Sequence, residues 1–191
     1  MDDGQTSAAV YLDLLAQDYD VTIWTLSTDG DIDPKEMGSY ELVIWTSGDY
    51  QGGDDYALYT YLLDGGLLLL SGAYPVFYEG GETAVLRDVQ VSTQESLLTT
   101  GFSPGEIFAL SSELETVIFD TTEDEQGITP LFLRGPASEQ AGDLIAVGVE
   151  EDDFDVIHAL VVGVPLYTLP EWAQTQLVSN AIEWFEIAPL P

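Results

Sequence analysis

Two side chains that often act in catalysis, cysteine and histidine, are absent or nearly absent, and this excludes several classes of activity. Cysteine is absent, which excludes disulfides, thiolate metal sites and cysteine nucleophiles together. His158 is the only histidine, so it is the single candidate for an imidazole base. It lies within the apolar run 156–160, a pattern that favours a structural position on a strand over a catalytic one.

Carboxylates at alternate positions are the second candidate for chemistry. Asp29, Asp31 and Asp33 follow the spacing with which calcium-binding loops begin. Pro34 stands where such a loop needs glycine for its sharp turn, and Tyr40 stands where it needs a bidentate glutamate, which excludes an EF-hand. A solvated acidic loop is the preferred interpretation, so no cofactor is expected, and Ca²⁺ is the alternative. The same two interpretations apply to the acidic group Glu150, Asp152, Asp153 and Asp155.

The charge balance limits the partners and the setting. The chain has 35 Asp and Glu residues against three Lys and Arg, a formal net charge of −32. Binding to nucleic acid or to anionic lipid depends on Lys and Arg, so neither partner is expected. Self-repulsion of this size is tolerated best where salt or divalent cations screen it. We therefore expect an extracellular or cell-surface location, with a halophilic cytoplasm as the alternative.

The first quarter of the chain predicts a helix followed by two strands. Ala8, Tyr11 and Leu15 share one face of an amphipathic helix, with Thr6 or Ser7 as its N-cap. The β-branched and apolar runs 21–26 and 42–45 predict strands, the second buried on both faces. Between them, Asp33 and Pro34 predict a short helical turn.

Further along the chain, the pattern predicts a βαβ unit and, later, an antiparallel pair. Asp54 and Asp55 begin a helix that Gly65 and Gly66 end, and the buried strand 67–70 follows. This order requires a parallel sheet covered by helices. The region 74–142 is predicted to hold loops and short strands. Strands 143–149 and 154–164 are predicted to form a hairpin at a sheet edge. A capping box at 168–171 is predicted to open the last helix.

Three stretches, 40–50, 67–72 and 161–170, resemble class I glutamine amidotransferase-like domains of large secreted bacterial proteins. The resemblance covers both ends of the chain and little of the middle. It implies a single flavodoxin-like α/β domain over residues 1–191. Such a domain is a three-layer, doubly wound, mostly parallel sheet with helices on both faces.

The same resemblance implies which residues would be catalytic. Ser71 stands near the position of the cysteine nucleophile in catalytic relatives, and the missing cysteine excludes glutaminase activity. Some similar folds use a serine triad, so Ser71 with His158 is the one available pair for a serine hydrolase. Against that role, residues 69–73 lack the Gly-x-Ser-x-Gly form of a strained elbow.

A ligand site is expected at the carboxyl ends of the parallel strands, where open α/β sheets bind their ligands. Tyrosines at this rim could stack on a sugar or a peptide. The residues predicted to line it are Ser47, Gly48, Asp49, Tyr50, Ser71, Gly72, Tyr74 and Tyr78.

The leading expectation for function is a non-catalytic accessory, interaction or ligand-binding domain of a larger extracellular or cell-surface protein. Its partners would be other domains of that parent protein, or a carbohydrate or peptide ligand. The alternative is a peptidase-like or esterase-like serine hydrolase that uses Ser71 and His158.

The resemblance also implies a central first strand ahead of the first helix, yet residues 1–4 enter that helix directly. A gap inside a sheet would leave backbone groups unpaired, each at a cost of about 1–3 kcal/mol. We therefore predict that strand 21–26 pairs directly with 42–45, or that another segment fills the slot. Restoring upstream residues is expected to raise stability.

Overall fold

The computed structural model describes residues 4–48, 55–74, 82–119, 127–151 and 157–190. The α-helices in these ranges are α1 (Gly4–Leu15), α2 (Leu26–Asp29), α3 (Pro34–Met37), α4 (Asp55–Leu63) and α5 (Glu171–Trp184). The strands are β1 (Val43–Gly48), β2 (Leu67–Gly72), β3 (Thr83–Val91), β4 (Ile107–Val117), β5 (Ile128–Arg134), β6 (Leu144–Glu151) and β7 (Ile157–Val162). Two 3₁₀ turns lie at Leu97–Thr99 and Leu166–Thr168. In these ranges no helix combines the length and the apolar character needed to cross a bilayer.

The strands form one mixed sheet in the order β1-β2-β7-β6-β5-β3-β4. Strands β1, β2 and β7 are parallel, whereas the other neighbouring pairs are antiparallel, and the sheet curls into a half-barrel. The predicted doubly wound, mostly parallel sheet is therefore wrong. Parallel neighbours need a long crossover, usually a helix, and the described residues show no α-helix between β3 and β7. The region predicted as loops and short strands instead supplies β3, β4 and β5, of nine, eleven and seven residues.

Several local predictions are confirmed. The first helix, the βαβ unit of β1, α4 and β2, and the last helix all form as expected. At α3, the Asp33 carboxylate accepts a hydrogen bond from the Lys35 N–H at 2.9 Å, with Pro34 in the first turn. Helix α1 begins at Gly4, so Thr6 and Ser7 lie inside it and the predicted N-cap is wrong.

The predicted strand 21–26 is wrong. Residues 21–25 belong to no helix or strand, and Leu26 begins α2. Local hydrogen bonds take up the backbone instead: the Asp29 carboxylate accepts from the Thr25 N–H at 2.8 Å, and the Trp24 indole donates to the Gly30 carbonyl at 2.7 Å. This segment therefore does not pair with β1. A segment with high β-propensity forms a strand only where a neighbouring strand can pair with it. Here local side-chain hydrogen bonds take the place of strand pairing.

Two further predictions need correction. Strands β6 and β7 do pair as an antiparallel hairpin, but they lie in the middle of the sheet rather than at an edge. The capping box is also wrong, because the Thr168 hydroxyl donates to the Pro165 carbonyl at 2.7 Å and Pro170 stands at the N-cap without a side-chain bond. A proline N-cap leaves the first N–H groups of α5 without a side-chain acceptor.

The core has one apolar cluster on each face of the sheet. Leu69 of β2 joins Tyr11 of α1 and Leu177 of α5 on one face, whereas Leu68 and Leu70 join α4 on the other. This split follows from the period of two along a strand, which sends successive side chains to opposite faces. Strands β1 and β2 are thus sandwiched between α1 on one side and α3 and α4 on the other.

The two edges of the sheet differ in character. At one edge, β4 is largely exposed and carries Glu113 and Glu115, and charges of this kind discourage edge-to-edge pairing. At the other edge, β1 carries the uncharged run 42–46, every residue of which is half-buried. Among the described residues β2 is the only strand that pairs with β1, which makes β1 the edge strand of the sheet.

Candidate binding site

The predicted ligand rim exists as a place in the fold, but its two serine hydroxyls are bonded to backbone carbonyls. Thr46 of β1 pairs with Ser71 of β2, so the carboxyl ends of these strands meet. The Ser47 hydroxyl donates to the Tyr74 carbonyl at 3.3 Å, and the buried Ser71 hydroxyl donates to the Val164 carbonyl at 3.2 Å. Gly48 and Gly72 pair beside them. The other predicted rim residues, Asp49, Tyr50 and Tyr78, lie outside the described residues.

The structure does not bring Ser71 and His158 together. In the parallel register of β2 and β7, His158 pairs with Leu67, whereas Ser71 pairs with Val162. Four residues at roughly 3.3 Å each separate the two positions by about 13 Å along the strands. A hydroxyl and an imidazole need to approach within about 3 Å for proton transfer, so this arrangement lacks a nucleophile and base pair.

Two hydroxyls on α1, those of Ser7 and Tyr11, are buried one turn apart. Neither has a hydrogen-bond partner within the described part of the chain. Burial raises the pKa of Tyr11 far above its ordinary value, and the nearby Ser71 hydroxyl offsets this only in part. Burial likewise raises the pKa of Tyr61, although its hydroxyl donates to the Leu67 carbonyl at 3.0 Å. Both phenols are therefore held in their neutral form.

Stability is expected to fall as the pH rises above about 10, the ordinary tyrosine pKa. There the unfolded chain releases phenolic protons that the folded state keeps on Tyr11 and Tyr61, so higher pH favours unfolding. Each group contributes up to about 1.4 kcal/mol per pH unit. Urea unfolding of Tyr11→Phe and Tyr61→Phe across this range should show a shallower decline than the wild type. The exposed Tyr56→Phe controls for loss of a hydroxyl, and identical slopes in all variants would contradict the expectation.

Two of the three predicted calcium residues serve local structure. Asp29 and Asp33 accept the backbone N–H bonds of Thr25 and Lys35, and Asp31 is exposed. Across the described ranges, no three acidic or histidine side chains converge closely enough to hold a metal ion. Of the second acidic group, only Glu150 lies within those ranges.

A groove of about 420 Å³ opens at the amino end of β7, far from the predicted rim. We name it the His158 groove. It forms where β5, β6, β7, the turn Leu97–Thr99 and the end of α5 meet. The polar and aromatic side chains that line it include Ser96, Thr129, Glu150, His158, Trp184 and Glu186.

His158 is held in this groove by its register and by an aromatic neighbour. It pairs directly with Glu150 across β6 and β7. Its ring lies 6.1 Å from the centroid of the Trp184 indole, tilted by 36°. Within the part of the chain that the structure describes, the side chains of Glu150, His158 and Glu186 form no hydrogen bond or ion pair with one another or with other residues. These polar groups remain available to a ligand.

Glu186 occupies a position that normally belongs to glycine. Its N–H donates to the Glu183 carbonyl and the Ile187 N–H donates to the Ile182 carbonyl, both at 3.1 Å, in the Schellman pattern that ends α5. Glu186 has φ 59°, and the equivalent residue at the end of α4 is Gly65, with φ 85°. A residue with a side chain in the left-handed backbone conformation lowers the stability of the fold by about 1–2 kcal/mol. A carboxylate at the negative end of a helix costs about 0.3–1 kcal/mol more.

Sequence reasoning missed this groove, although one signal was present. The apolar face of α5 ends at Phe185, and the next residues contain no glycine or asparagine to end the helix. A glutamate at the position that ends a helix must adopt a strained, left-handed backbone. Strain of this kind is typical of functional sites. The convergence of β6, β7 and α5 depends on the order of strands in the sheet, which periodicity does not reveal.

Comparisons with known proteins support the fold alone. No family model matches the sequence, and no curated protein matches it. Among solved structures the chain is similar to the "mmIFT52 N-terminal domain", with a TM-score of 0.60 and 10% identity over 97% of this chain and 92% of that one. The mixed, curled sheet and this neighbour show that the resemblance to glutamine amidotransferase-like, flavodoxin-like domains is wrong. Neither finding shows secretion.

Proposed function

We propose that this chain is a non-catalytic interaction domain of a larger extracellular or cell-surface protein, and that it accepts an extended segment of a partner at the open edge of β1. The observation that carries the proposal is the contrast between β1 and β2. Leu68, Leu69 and Leu70 of β2 are completely buried, whereas the apolar residues 42–45 are all half-buried. A further strand would complete their burial and pair the open backbone.

The segment ahead of β1 adds exposed apolar surface near this edge. Val21 packs in the cluster on the α1 face, and Ile32 packs in the cluster on the α4 face. Between these two anchors the chain keeps three large apolar side chains exposed, Ile23, Trp24 and Leu26, at 47%, 38% and 37%. Contiguous exposed apolar surface on a soluble domain marks an interaction site.

Charge selects the partner. Residues 20–41 contain one basic residue, Lys35, and six exposed acidic residues: Asp20, Asp29, Asp31, Asp33, Glu36 and Glu41. The two sheet faces beside β1 are both apolar, so an added strand needs a continuous apolar run rather than an alternating one. The partner is therefore an apolar strand flanked by Lys or Arg. A second copy of this chain would bring its own charge of −32 and be repelled.

Hydrogen exchange with designed peptides tests this function. The probe is a run of valine and isoleucine as long as β1 between pairs of lysines. We expect it to slow amide exchange within 43–47 while leaving β4 unchanged. At 100 times its Kd it should raise the free energy of unfolding by about 2.7 kcal/mol.

Three controls make this test specific. A peptide with glutamates in place of the lysines should bind weakly, and one with proline inside the run should not protect β1. Trp24→Ser should weaken binding, whereas the comparably exposed Trp172→Ser on α5 should not. Absence of protection in β1, or self-association of the chain through β1, would contradict the proposed function.

A further inference from the structure

We propose that the His158 groove binds an organic cation, the guanidinium group of an arginine side chain, against Trp184 and between the carboxylates of Glu150 and Glu186. The groove lies at the amino end of β7, whereas the predicted rim lies at the carboxyl ends of the parallel strands. The inference does not depend on the edge of β1. Its starting point is Glu186, a left-handed residue at a position where α4 uses glycine. A residue with a strained backbone whose side chain lines a cavity is typical of a functional site.

The electrostatics of the groove favour a positive ligand. Glu150 and Glu186 reach it from β6 and from the end of α5, and neither is paired with a basic side chain in the described ranges. The carbonyl end of α5 adds the negative pole of the helix dipole at the same place. The chain as a whole attracts cations because it carries a net charge of −32.

The lining selects an organic cation rather than a metal ion. The groove lacks three converging carboxylate or histidine ligands among the described residues. It is lined instead by the indole of Trp184, whose ring centroid lies 6.1 Å from that of His158. Guanidinium is planar, is weakly hydrated and stacks on indole while donating to carboxylates, so it matches this combination better than a compact ammonium ion.

His158 supplies a direct reporter because it is the only histidine, and its imidazole NMR signals need no assignment among others. The probes are N-acetyl-arginine amide and its neutral isostere N-acetyl-citrulline amide, titrated at physiological ionic strength. We expect the arginine compound to shift the His158 signals and the Trp184 indole signal with a Kd of about 1 mM, and the citrulline compound to shift neither.

Matched variants separate a site from general attraction to an acidic protein. Glu150→Gln and Glu186→Gln should each weaken arginine binding about fivefold or more. Glu183→Gln removes the same charge from the last turn of α5, outside the groove, and should leave binding unchanged. Equal weakening by all three variants, equal shifts with citrulline, or shifts only with a neutral sugar such as N-acetylglucosamine would overturn the proposal.

Glu186→Gly supplies a second, independent test. Glycine relieves the left-handed conformation and removes the charge at the end of α5, so the melting temperature should rise. Arginine binding should weaken in the same variant, so stability and binding should change in opposite directions. A variant that is more stable and binds arginine as well as the wild type would overturn the role of Glu186.

Discussion

Arg134→Ala is expected to lower the free energy of unfolding by about 3–5 kcal/mol, because three carbonyl oxygens lose a charged donor and a cavity replaces the side chain. Arg134 lies at the end of β5 and is completely buried. Its Nη1 donates to the Ala84 carbonyl at 3.3 Å, and its Nη2 donates to the Thr116 and Val117 carbonyls at 3.1 Å each and to the Thr116 hydroxyl at 2.6 Å. One side chain thus ties together the ends of β3, β4 and β5.

This guanidinium is unusual because it has no carboxylate partner within the described residues. Burial lowers the pKa of Arg134, and the charges of Asp143 and Glu139 raise it by a smaller amount. Arginine nevertheless stays protonated, because its ordinary pKa lies far above neutral pH. Its charge is compensated by carbonyl dipoles and by the acidic surroundings, so salt should change its contribution little.

Three variants test this arrangement by chemical denaturation. Arg134→Met retains much of the volume and should show the cost of the lost hydrogen bonds. Arg134→Lys retains the charge but lacks the planar fork and should be intermediate. Arg87→Ala is the control: Arg87 pairs with Glu113 at 2.7 Å, but 44% and 59% of these side chains are exposed, so we expect about 1 kcal/mol or less. Equal losses for Arg134→Ala and Arg87→Ala would contradict the structural role.

The second large effect is expected at Phe132, where truncation to alanine should cost about 3–5 kcal/mol. Phe132 is completely buried on β5 and meets Phe102 and Phe108 edge to face, with centroid distances of 5.4 and 5.6 Å and an angle of 86° in both pairs. These two rings in turn contact Trp172 at the start of α5. The cluster therefore fixes the first turn of α5 against the antiparallel half of the sheet.

Phe132→Leu should cost less than Phe132→Ala, because leucine refills most of the volume and only the aromatic geometry is lost. Trp172→Ala is the matched control, since its ring touches the same cluster but is 46% exposed. Thermal and urea unfolding measure all three. A loss at Trp172 as large as that at Phe132 would show that the cluster is held from the helix side instead.

Arg134 and the Phe132 cluster also make the surroundings of the proposed sites rigid. The antiparallel half, fixed by Arg134 and by the Phe132 cluster, holds α5, and α5 carries Trp184 to the His158 groove. The parallel half ends in β1, which has β2 as its one partner strand among the described residues. The domain thus presents one preformed groove and one incomplete edge, and rigid surroundings lower the entropy cost of binding at either place.

The sequence predicted those helices and strands that depend on residues close together along the chain. The spacing of apolar residues places α1, α4 and α5. The runs at 42–45 and 67–70 place β1 and β2, and Asp33 with Pro34 places α3. Net charge and the lack of cysteine limited the partners and the chemistry. These features depend on neighbours within a few residues along the chain, so periodicity and capping rules reach them.

Only the tertiary structure decided which strands pair and what the segments between them do. Run 21–26 has a strand composition, yet no strand of the described ranges pairs with it and local caps use its backbone. Strands β6 and β7 look like an edge hairpin but lie at the centre, because β2 pairs with β7 across a long sequence separation. That same pairing separates Ser71 from His158 along the strands. The pairing of β3 with β4 and β5 buries Arg134 among carbonyls. Long-range pairing is chosen by the fit of whole layers, and no local pattern in the sequence encodes it.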